Sequence, residues 1–277
     1  MSTLTVTSGT DSIDLEVEDS GGSGRPAVLI HGWPMSHESW SEQVPALREA
    51  GYRVISYDRR GFGGSAKPAA GYDYDTLTDD LAGLLKALDL SDVTLVGFSM
   101  GGGEVARYVG RHGQERLHSV VFAAAVPPYL MKTDDNPQGP LTQDAAAEME
   151  SGLTAGREDF FPGFVTGFYS AGEELKATQE QVDQGVELCL QSDQGAALGC
   201  MEAFGTTDFR DDLVRVTVPT LVVHGDSDGI VPFEGSGQRT AQIIHGAETV
   251  VVQGAPHGLN VTHAEEFNTA LLDFLAR

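Results

Sequence analysis

Apolar and polar positions alternate at the start of the chain, over residues 3–7 and 12–18, as in Ile13-Asp14-Leu15-Glu16-Val17. That period predicts a short antiparallel hairpin with one buried face, at a sheet edge. Residues 20–24 form a flexible, glycine-rich turn. Beyond it come apolar runs at 27–30, 52–57, 93–96, 119–125, 220–224 and 248–252. Short runs of this kind read as strands buried on both faces. Between the runs the period becomes helical. Residues 40–50 form one such stretch, closed by Gly51. Residues 75–90 form another, with Leu77, Leu81, Leu84, Leu85 and Leu88 on one face. Residues 100–112 and 263–275 complete the set. This alternation predicts a mainly parallel sheet covered on both faces. In such sheets, sites lie beyond the carboxyl ends of the strands.

The rhythm breaks after Val126. From there to about residue 211 no buried strand is predicted, only helical stretches at 142–151, 158–170, 178–191 and 193–204. The expected division is a core of residues 1–126 and 212–277, with a helical insertion of residues 127–211 over the strand ends. There is no internal repeat and no low-complexity tract.

The most informative stretch is Gly97-Phe98-Ser99-Met100-Gly101-Gly102-Gly103. It stops a buried strand and opens a helix. A serine at the tip of such a turn projects its hydroxyl away from the sheet, beside the free N–H groups of the helix start. The glycines let strand and helix approach closely. This is the nucleophile elbow of an α/β-hydrolase fold. The G-x-S-x-G pattern alone is weak in a chain with 34 glycines. A second match, Gly225-Asp226-Ser227-Asp228-Gly229, follows another strand, but no helix of small residues opens after it. Ser99 is therefore the expected nucleophile.

A serine nucleophile needs a base. His257 follows the last strand, within Gly254-Ala255-Pro256-His257-Gly258, on a loop expected at the same sheet edge. The other histidines have plainer readings. His224 ends a strand, His31 supports its loop, His263 starts a helix, and His37, His112, His118 and His245 sit in polar segments. Asp226 and Asp228 compete as the acid that orients the base. Asp226, next to Gly225, suits the fastening of a turn through backbone N–H groups. Asp228 stands further out and is the expected acid, which gives the chain order Ser…Asp…His. The backbone N–H groups of Met100 and Trp33 are the expected oxyanion donors. The pocket is expected to contain Trp33, Pro34, Phe98 or Met100, Val126, Ile230 and Leu259, with aromatics from Phe160 to Phe168. No metal-type ligand spacing occurs.

Charge narrows the function classes. There are 41 acidic and 17 basic residues, for a net charge of −24. Nucleic acid and anionic membranes are repelled by such a surface. Lysine occurs only at Lys67, Lys86, Lys132 and Lys176. Two readings fit: an ordinary acidic enzyme from an arginine-preferring organism, or adaptation to high salt, where ions screen the self-repulsion. The second is favoured. No run of 18 apolar residues is present. The first residues lack the basic and apolar regions of a secretory signal. A cytoplasmic location is the expectation. Cys189 and Cys200 are expected to be reduced and buried rather than paired.

Seven segments together resemble a known family. They are His31-Gly-Trp-Pro-Met-Ser36, Tyr57-Asp-Arg-Arg-Gly-Phe-Gly-Gly-Ser65, Gly71-Tyr-Asp-Tyr-Asp-Thr76, Gly97-Phe-Ser-Met-Gly-Gly-Gly103, Val126-Pro-Pro-Tyr129, His224-Gly-Asp-Ser-Asp228 and Pro256-His-Gly258. The set is similar to the cofactor-free bacterial haloperoxidases, also described as perhydrolases and arylesterases. The likeness runs from about residue 25 to the C-terminus and is weaker between about 140 and 200. It implies a Ser99–Asp228–His257 triad, with Trp33 and Met100 donating to the oxyanion. It implies cleavage of short-chain and aryl esters, with hydrogen peroxide able to replace water, and peracid that oxidises halide without any metal or organic cofactor. In such proteins a proline after the oxyanion tryptophan, here Pro34, goes with peroxide use. A homo-oligomer, a trimer or hexamer, is also implied. Haloalkane dehalogenation needs an aspartate where Ser99 stands. Amide or lactam hydrolysis on the same triad, and a non-catalytic small-molecule binding protein, remain as alternatives.

Overall fold

The computed structural model describes residues 1–277. Strands β1 (Ser2–Ser8), β2 (Asp11–Asp19), β3 (Pro26–Ile30), β4 (Arg53–Tyr57), β5 (Val93–Phe98) and β6 (Leu117–Ala123) come first. A two-residue hairpin, β7 (Ser170–Ala171) and β8 (Glu174–Leu175), follows, then β9 (Thr220–Gly225) and β10 (Glu248–Val252). The helices are α1 (Gln43–Glu49), α2 (Tyr74–Ala87), α3 (Met100–His112), α4 (Gln143–Ala155), α5 (Arg157–Phe168), α6 (Gln179–Leu190), α7 (Gln194–Thr206), α8 (Arg210–Leu213), α9 (Gly237–Ile243), α10 (Leu259–Thr262) and α11 (Ala264–Leu275).

The main sheet has eight strands in the order β1-β2-β4-β3-β5-β6-β9-β10. β1 pairs antiparallel with β2, and β2 antiparallel with β4. Every other pairing is parallel. The expected mainly parallel sheet with an antiparallel edge hairpin is what forms. The polar–apolar alternation of β1 and β2 keeps Val6, Ile13, Leu15 and Val17 against the core while the intervening side chains face out. The central strand β5 is buried along its whole length, as its unbroken apolar run requires.

Helix starts follow local chemistry. Asp73 caps α2 by accepting the N–H of Thr76 at 2.9 Å. Thr178 and Gln181 form a reciprocal capping box at the start of α6. Some boundaries differ from the sequence pattern. Residues 40–50 are not one helix but a 3-10 turn (His37–Trp40) followed by α1. The last helical stretch, residues 263–275, is α11, and a one-turn helix, α10, stands directly before it. Helix α9 and the β7–β8 hairpin were not anticipated, because both are too short to carry a period.

Helices α4 to α7 and the small hairpin fall between β6 and β9 in the chain. Cys189 and Cys200, on α6 and α7, are buried and unpaired. Burial pushes the Cys200 thiol up to about 12. No helix is long and apolar enough to cross a membrane.

Candidate active site

The turn between β5 and α3 places Ser99 at the carboxyl edge of the sheet. Ser99 has φ 53° and ψ −117°, a left-handed conformation that a side-chain-bearing residue adopts only under constraint. Backbone bonds supply that constraint. The Ser99 N–H donates to the Ala123 carbonyl on β6 at 2.8 Å. The Ser99 carbonyl accepts from Gly102 at 3.0 Å and Val126 at 3.2 Å. Glycine is obligatory at Gly101, where a Cβ would lie 2.4 Å from the Ile30 carbonyl oxygen. Such a contact is backbone against side chain and cannot relax cheaply.

His257 sits on the loop between β10 and α10, with its ring buried. Its Nε2 is 2.9 Å from Ser99 Oγ. Its Nδ1 is 2.7 Å from Asp228 Oδ2. With Nδ1–H donating to the carboxylate, Nε2 is left to accept from the serine hydroxyl. The Phe168 ring stands edge-on to His257, centroids 4.8 Å apart at 88°. Phe98 packs on the ring from another side at 5.3 Å.

Asp228 lies on the loop after β9. Burial alone would raise its carboxyl. The positive charge that His257 can carry and hydrogen bonds from His224 and His257 outweigh burial and hold it well below the ordinary carboxylate range. Asp226 points elsewhere. Its Oδ1 accepts the N–H of Gly254 at 2.7 Å, which ties the β9 loop to the loop that carries His257. Ser227, in the second G-x-S-x-G match, donates to Asp226 at 3.0 Å and meets no histidine.

The loop after β3 supplies the facing side. The Gly32 carbonyl accepts from His31 Nδ1 at 2.8 Å and from the Met35 N–H at 3.1 Å. These two bonds fix the Gly32–Trp33 peptide plane, and the Trp33 N–H on its opposite edge has no acceptor in the protein. His31 Nε2 accepts the Arg59 N–H at 3.0 Å. Burial and the neighbouring Arg59 charge lower the His31 pKa to about 3, so the ring stays neutral. Met100 is the first residue of α3, a position where the amide has no partner within the helix.

Beneath this loop lies a buried ion pair. Arg59 Nε donates to Glu104 Oε1 at 2.7 Å, and a second guanidinium N–H bonds the same oxygen. Arg59 also donates to the His31 carbonyl at 2.7 Å. The pair joins the Trp33 loop to α3, the helix that follows Ser99. Nearby, His37 Nδ1 is 2.7 Å from Asp58 Oδ1.

Ser99 and His257 open into a cavity of about 370 Å³. Its walls are mostly apolar: Trp33, Val126, Leu130, Leu141, Met149, Phe160, Phe164, Phe204 and Ile230 among them. Three expected pocket residues, Trp33, Val126 and Ile230, line it. Pro34, Phe98, Met100 and Leu259 do not. Phe98 instead packs between Trp40 and His257, and Leu259 is fully buried at the start of α10. Trp33 is held as a wall by its Nε1–H, which donates to the Ala197 carbonyl at 2.9 Å, and by edge contacts with Phe161, Phe164 and Phe204. Of the expected aromatics, Phe160 and Phe164 line the cavity, whereas Phe161 and Phe168 lie behind it. Leu141, Met149 and Phe204 were not anticipated; Met149 and Phe204 look like ordinary core positions of helical stretches, and Leu141 lies just before one. His224 and the Arg59–Glu104 pair were also missed.

Residues 26–264 match the family model of the alpha/beta hydrolase fold. The chain is 44% identical over 268 residues to a non-heme chloroperoxidase of Kitasatospora aureofaciens, a match covering 96% of this chain and 97% of that one. It is 34% identical over 270 residues to a bifunctional esterase/perhydrolase of Acinetobacter calcoaceticus, covering 96% and 97%. The crystal structure of a bromoperoxidase from Bacillus anthracis superposes with a TM-score of 0.96 at 49% identity, over 100% of both chains. With this fold, these relatives and a serine at the elbow, the chain belongs to the non-heme haloperoxidase family of α/β-hydrolases.

Proposed function

We propose that this protein cleaves short-chain and aryl carboxylic esters through an acyl-enzyme on Ser99, and that it delivers the acyl group to hydrogen peroxide as well as to water. The observation that carries the reading is the chain Ser99 Oγ–His257–Asp228, with links of 2.9 and 2.7 Å, facing an apolar cavity. The likeness to a bifunctional esterase/perhydrolase supports the peroxide branch.

In the first step His257 Nε2 takes the Ser99 proton as Oγ attacks the acyl carbon. The negative charge gathers on the carbonyl oxygen, where the Trp33 and Met100 N–H groups donate to it. Loss of one such donor typically costs about 3 kcal/mol of transition-state stabilisation. The imidazolium returns its proton to the leaving alcohol. In the second step His257 takes a proton from water or hydrogen peroxide, and the resulting oxygen nucleophile attacks the acyl carbon. Ser99 leaves and regains its proton. Water yields a carboxylic acid, and peroxide yields a peracid. Free peracid then passes one oxygen to halide, giving carboxylate and hypohalous acid. Every proton in the enzyme's own steps is moved by His257, so the scheme calls for no metal or organic cofactor.

Release of p-nitrophenol from p-nitrophenyl acetate by wild type and Ser99→Ala, with and without hydrogen peroxide and with peracetate scored, tests the reading. Turnover that disappears in the variant supports the serine hydrolase, and peracetate supports the peroxide branch. If wild type and variant are folded but equally inactive, the ester reading fails, and lactam chemistry or simple binding takes its place. Pro34→Leu tests peroxide use separately. An unchanged ratio of perhydrolysis to hydrolysis leaves Pro34 with no part in it.

A further inference from the structure

β9 ends in His224-Gly225, directly before the loop that carries Asp228. His224 is fully buried. Its Nε2 lies 2.8 Å from the Val231 carbonyl oxygen and 3.1 Å from Asp228 Oδ2. A carbonyl and a carboxylate both only accept, so Nε2 carries the ring proton; it bonds the Val231 carbonyl and stands within ion-pair distance of Asp228 Oδ2. The opposite nitrogen, Nδ1, has no partner. It faces Gly237, where a Cβ would come within 2.5 Å of it. The Phe233 ring closes that side, with its centroid 5.5 Å from the imidazole.

From the side of Asp228, the arrangement is saturated. Oδ1 accepts the N–H of Ile230 at 2.9 Å and of Val231 at 2.8 Å. Oδ2 faces His257 Nδ1 at 2.7 Å and His224 Nε2 at 3.1 Å. A carboxylate offers about four lone-pair sites, and each oxygen here meets two donors. Three of the four come from residues that the triad reading already includes or that lie on the acid's own turn. The fourth comes from a strand residue whose other polar contact is the Val231 carbonyl, on the acid's own loop.

We infer that His224 is a positioning residue for the proposed reaction: its Nε2–H grips Asp228 Oδ2 beside His257, fixes the carboxylate plane and takes a share of its negative charge. The inference rests on the serine-hydrolase reading. Its chemical consequence has a definite sign. A donor on a carboxylate weakens its pull on any other proton. With the His224 donor removed, Asp228 would hold the His257 imidazolium more strongly, and His257 would lose its proton at a higher pH. The titratable groups that bond to His257 are Asp228 from the loop after β9 and Ser99 from the elbow; Phe98 of β5 and Phe168 of α5 complete its packing. Facing His224 are Asp228, the Val231 carbonyl, Phe233 and Gly237 of α9. A purely structural His224, bonded only to Val231, would not move the titration of His257.

The test is the pH profile of kcat/KM for p-nitrophenyl acetate in wild type, His224→Leu and His224→Gln. Leucine removes the donor; glutamine keeps an N–H at a similar reach. The leucine variant is expected to move the lower limb upward by about half to one pH unit, with a lowered plateau. Glutamine is expected to bring the limb back near the wild-type position. A leucine variant with a lower plateau and an unmoved limb overturns the inference. Nitrogen-15 histidine NMR on the wild type needs no variant to fold and no substrate to turn over. It is expected to find the His224 proton on Nε2; a proton on Nδ1 overturns the inference. Wild-type inactivity would count against the ester reading, whereas a His224 proton found on Nδ1 would overturn this inference with or without turnover.

Discussion

Glu104→Gln is the substitution whose cost follows most directly from the buried ion pair. The side chains of Arg59 and Glu104 are each only 1% exposed. Burial raises the Glu104 carboxyl, with the Arg59 charge and the Arg59 and Tyr57 hydrogen bonds opposing it. Glutamine keeps the shape and one accepting oxygen. It removes the charge and leaves a guanidinium in the interior with no counter-charge. Breaking a buried pair from one side typically costs about 3–5 kcal/mol. In a chain of this size each kcal/mol lowers Tm by roughly 2–4 °C, so the expected loss is roughly 6–20 °C. Urea unfolding followed by circular dichroism gives the free energy; calorimetry gives Tm. The double variant Arg59→Leu/Glu104→Leu should cost less than Glu104→Gln, because neither charge then remains to be desolvated. A loss below about 1 kcal/mol for Glu104→Gln, or a double variant worse than the single one, would refute the reasoning. A second readout concerns the site. Arg59 donates to the His31 carbonyl, and the His31 ring fixes the Gly32–Trp33 peptide. The folded fraction of the variant should therefore show a lower kcat on p-nitrophenyl acetate with KM nearly unchanged.

The cavity has a thin wall. Leu141, Met149 and Phe204 line both the 370 Å³ cavity and an adjoining one of about 440 Å³ between α4 and α7. Phe204→Ala should join them and raise the ratio of octanoate to acetate ester kcat/KM about tenfold, which is the worth of nearly two further buried methylenes at about 0.8 kcal/mol each; an unchanged ratio would show that the wall does not limit chain length. The charge of −24 predicts that Tm climbs steeply from millimolar to molar KCl as screening shortens to a few ångströms; a flat response would end the salt-adaptation reading. For the His37–Asp58 pair, burial opposes the imidazolium, but the Asp58 carboxylate outweighs it and raises His37 above 6.5. Burial likewise opposes the Asp58 carboxylate, but its bond to His37 holds it below 3.8. The His37 contribution is complete below pH 6.5 and fades as pH rises through its raised folded value; that of Asp58 is complete above pH 3.8 and fades on acidification. The stability gap between wild type and His37→Gln should therefore be widest between pH 3.8 and 6.5 and narrow above it, and a gap constant into the alkaline range would contradict the pairing.

The residues that were legible share a property: each announces itself within its own few neighbours. Ser99 is flagged by a strand that stops and a helix of small residues that starts. Asp228 and His257 each follow a strand of a parallel sheet, and that alone sends both to the edge where Ser99 stands. Every strand of the main sheet is visible in the hydrophobic pattern for the same reason. What stayed hidden depends on register and on which helix face meets which wall. His224 looks like a strand terminus, and only its pairing opposite Val251 and the fold of the next loop bring its Nε2 to Asp228. Met149 and Phe204 occupy the apolar faces of α4 and α7, and an apolar face does not say whether it meets a core or a cavity. In the sequence Arg59 is one of two adjacent arginines at the head of a glycine-rich loop. Its burial becomes intelligible only when Glu104, 45 positions away, is seen against it.

The helices between β6 and β9 do two different things. The end of α5 and the strand after it are bonded to the loops that carry Asp228 and His257. The Phe168 carbonyl accepts the N–H of Gly258, next to His257, at 2.9 Å, and Ala171 forms a β-bridge with Asp228. The Phe168 ring also braces the imidazole. A change there would disturb the settings of Asp228 and His257 together. Helices α4 and α7 touch neither; they supply only Met149, Ala145 and Phe204 to the cavity walls. One part of the segment between β6 and β9 is thus bonded to the loops that carry Asp228 and His257, while α4 and α7 meet the cavity, α7 also holding the Trp33 indole through the Ala197 carbonyl. Substitutions in α4 and α7 can alter specificity while the bonds that hold Asp228 and His257 stay in place, because those bonds are made by β9, its following loop and the end of α5.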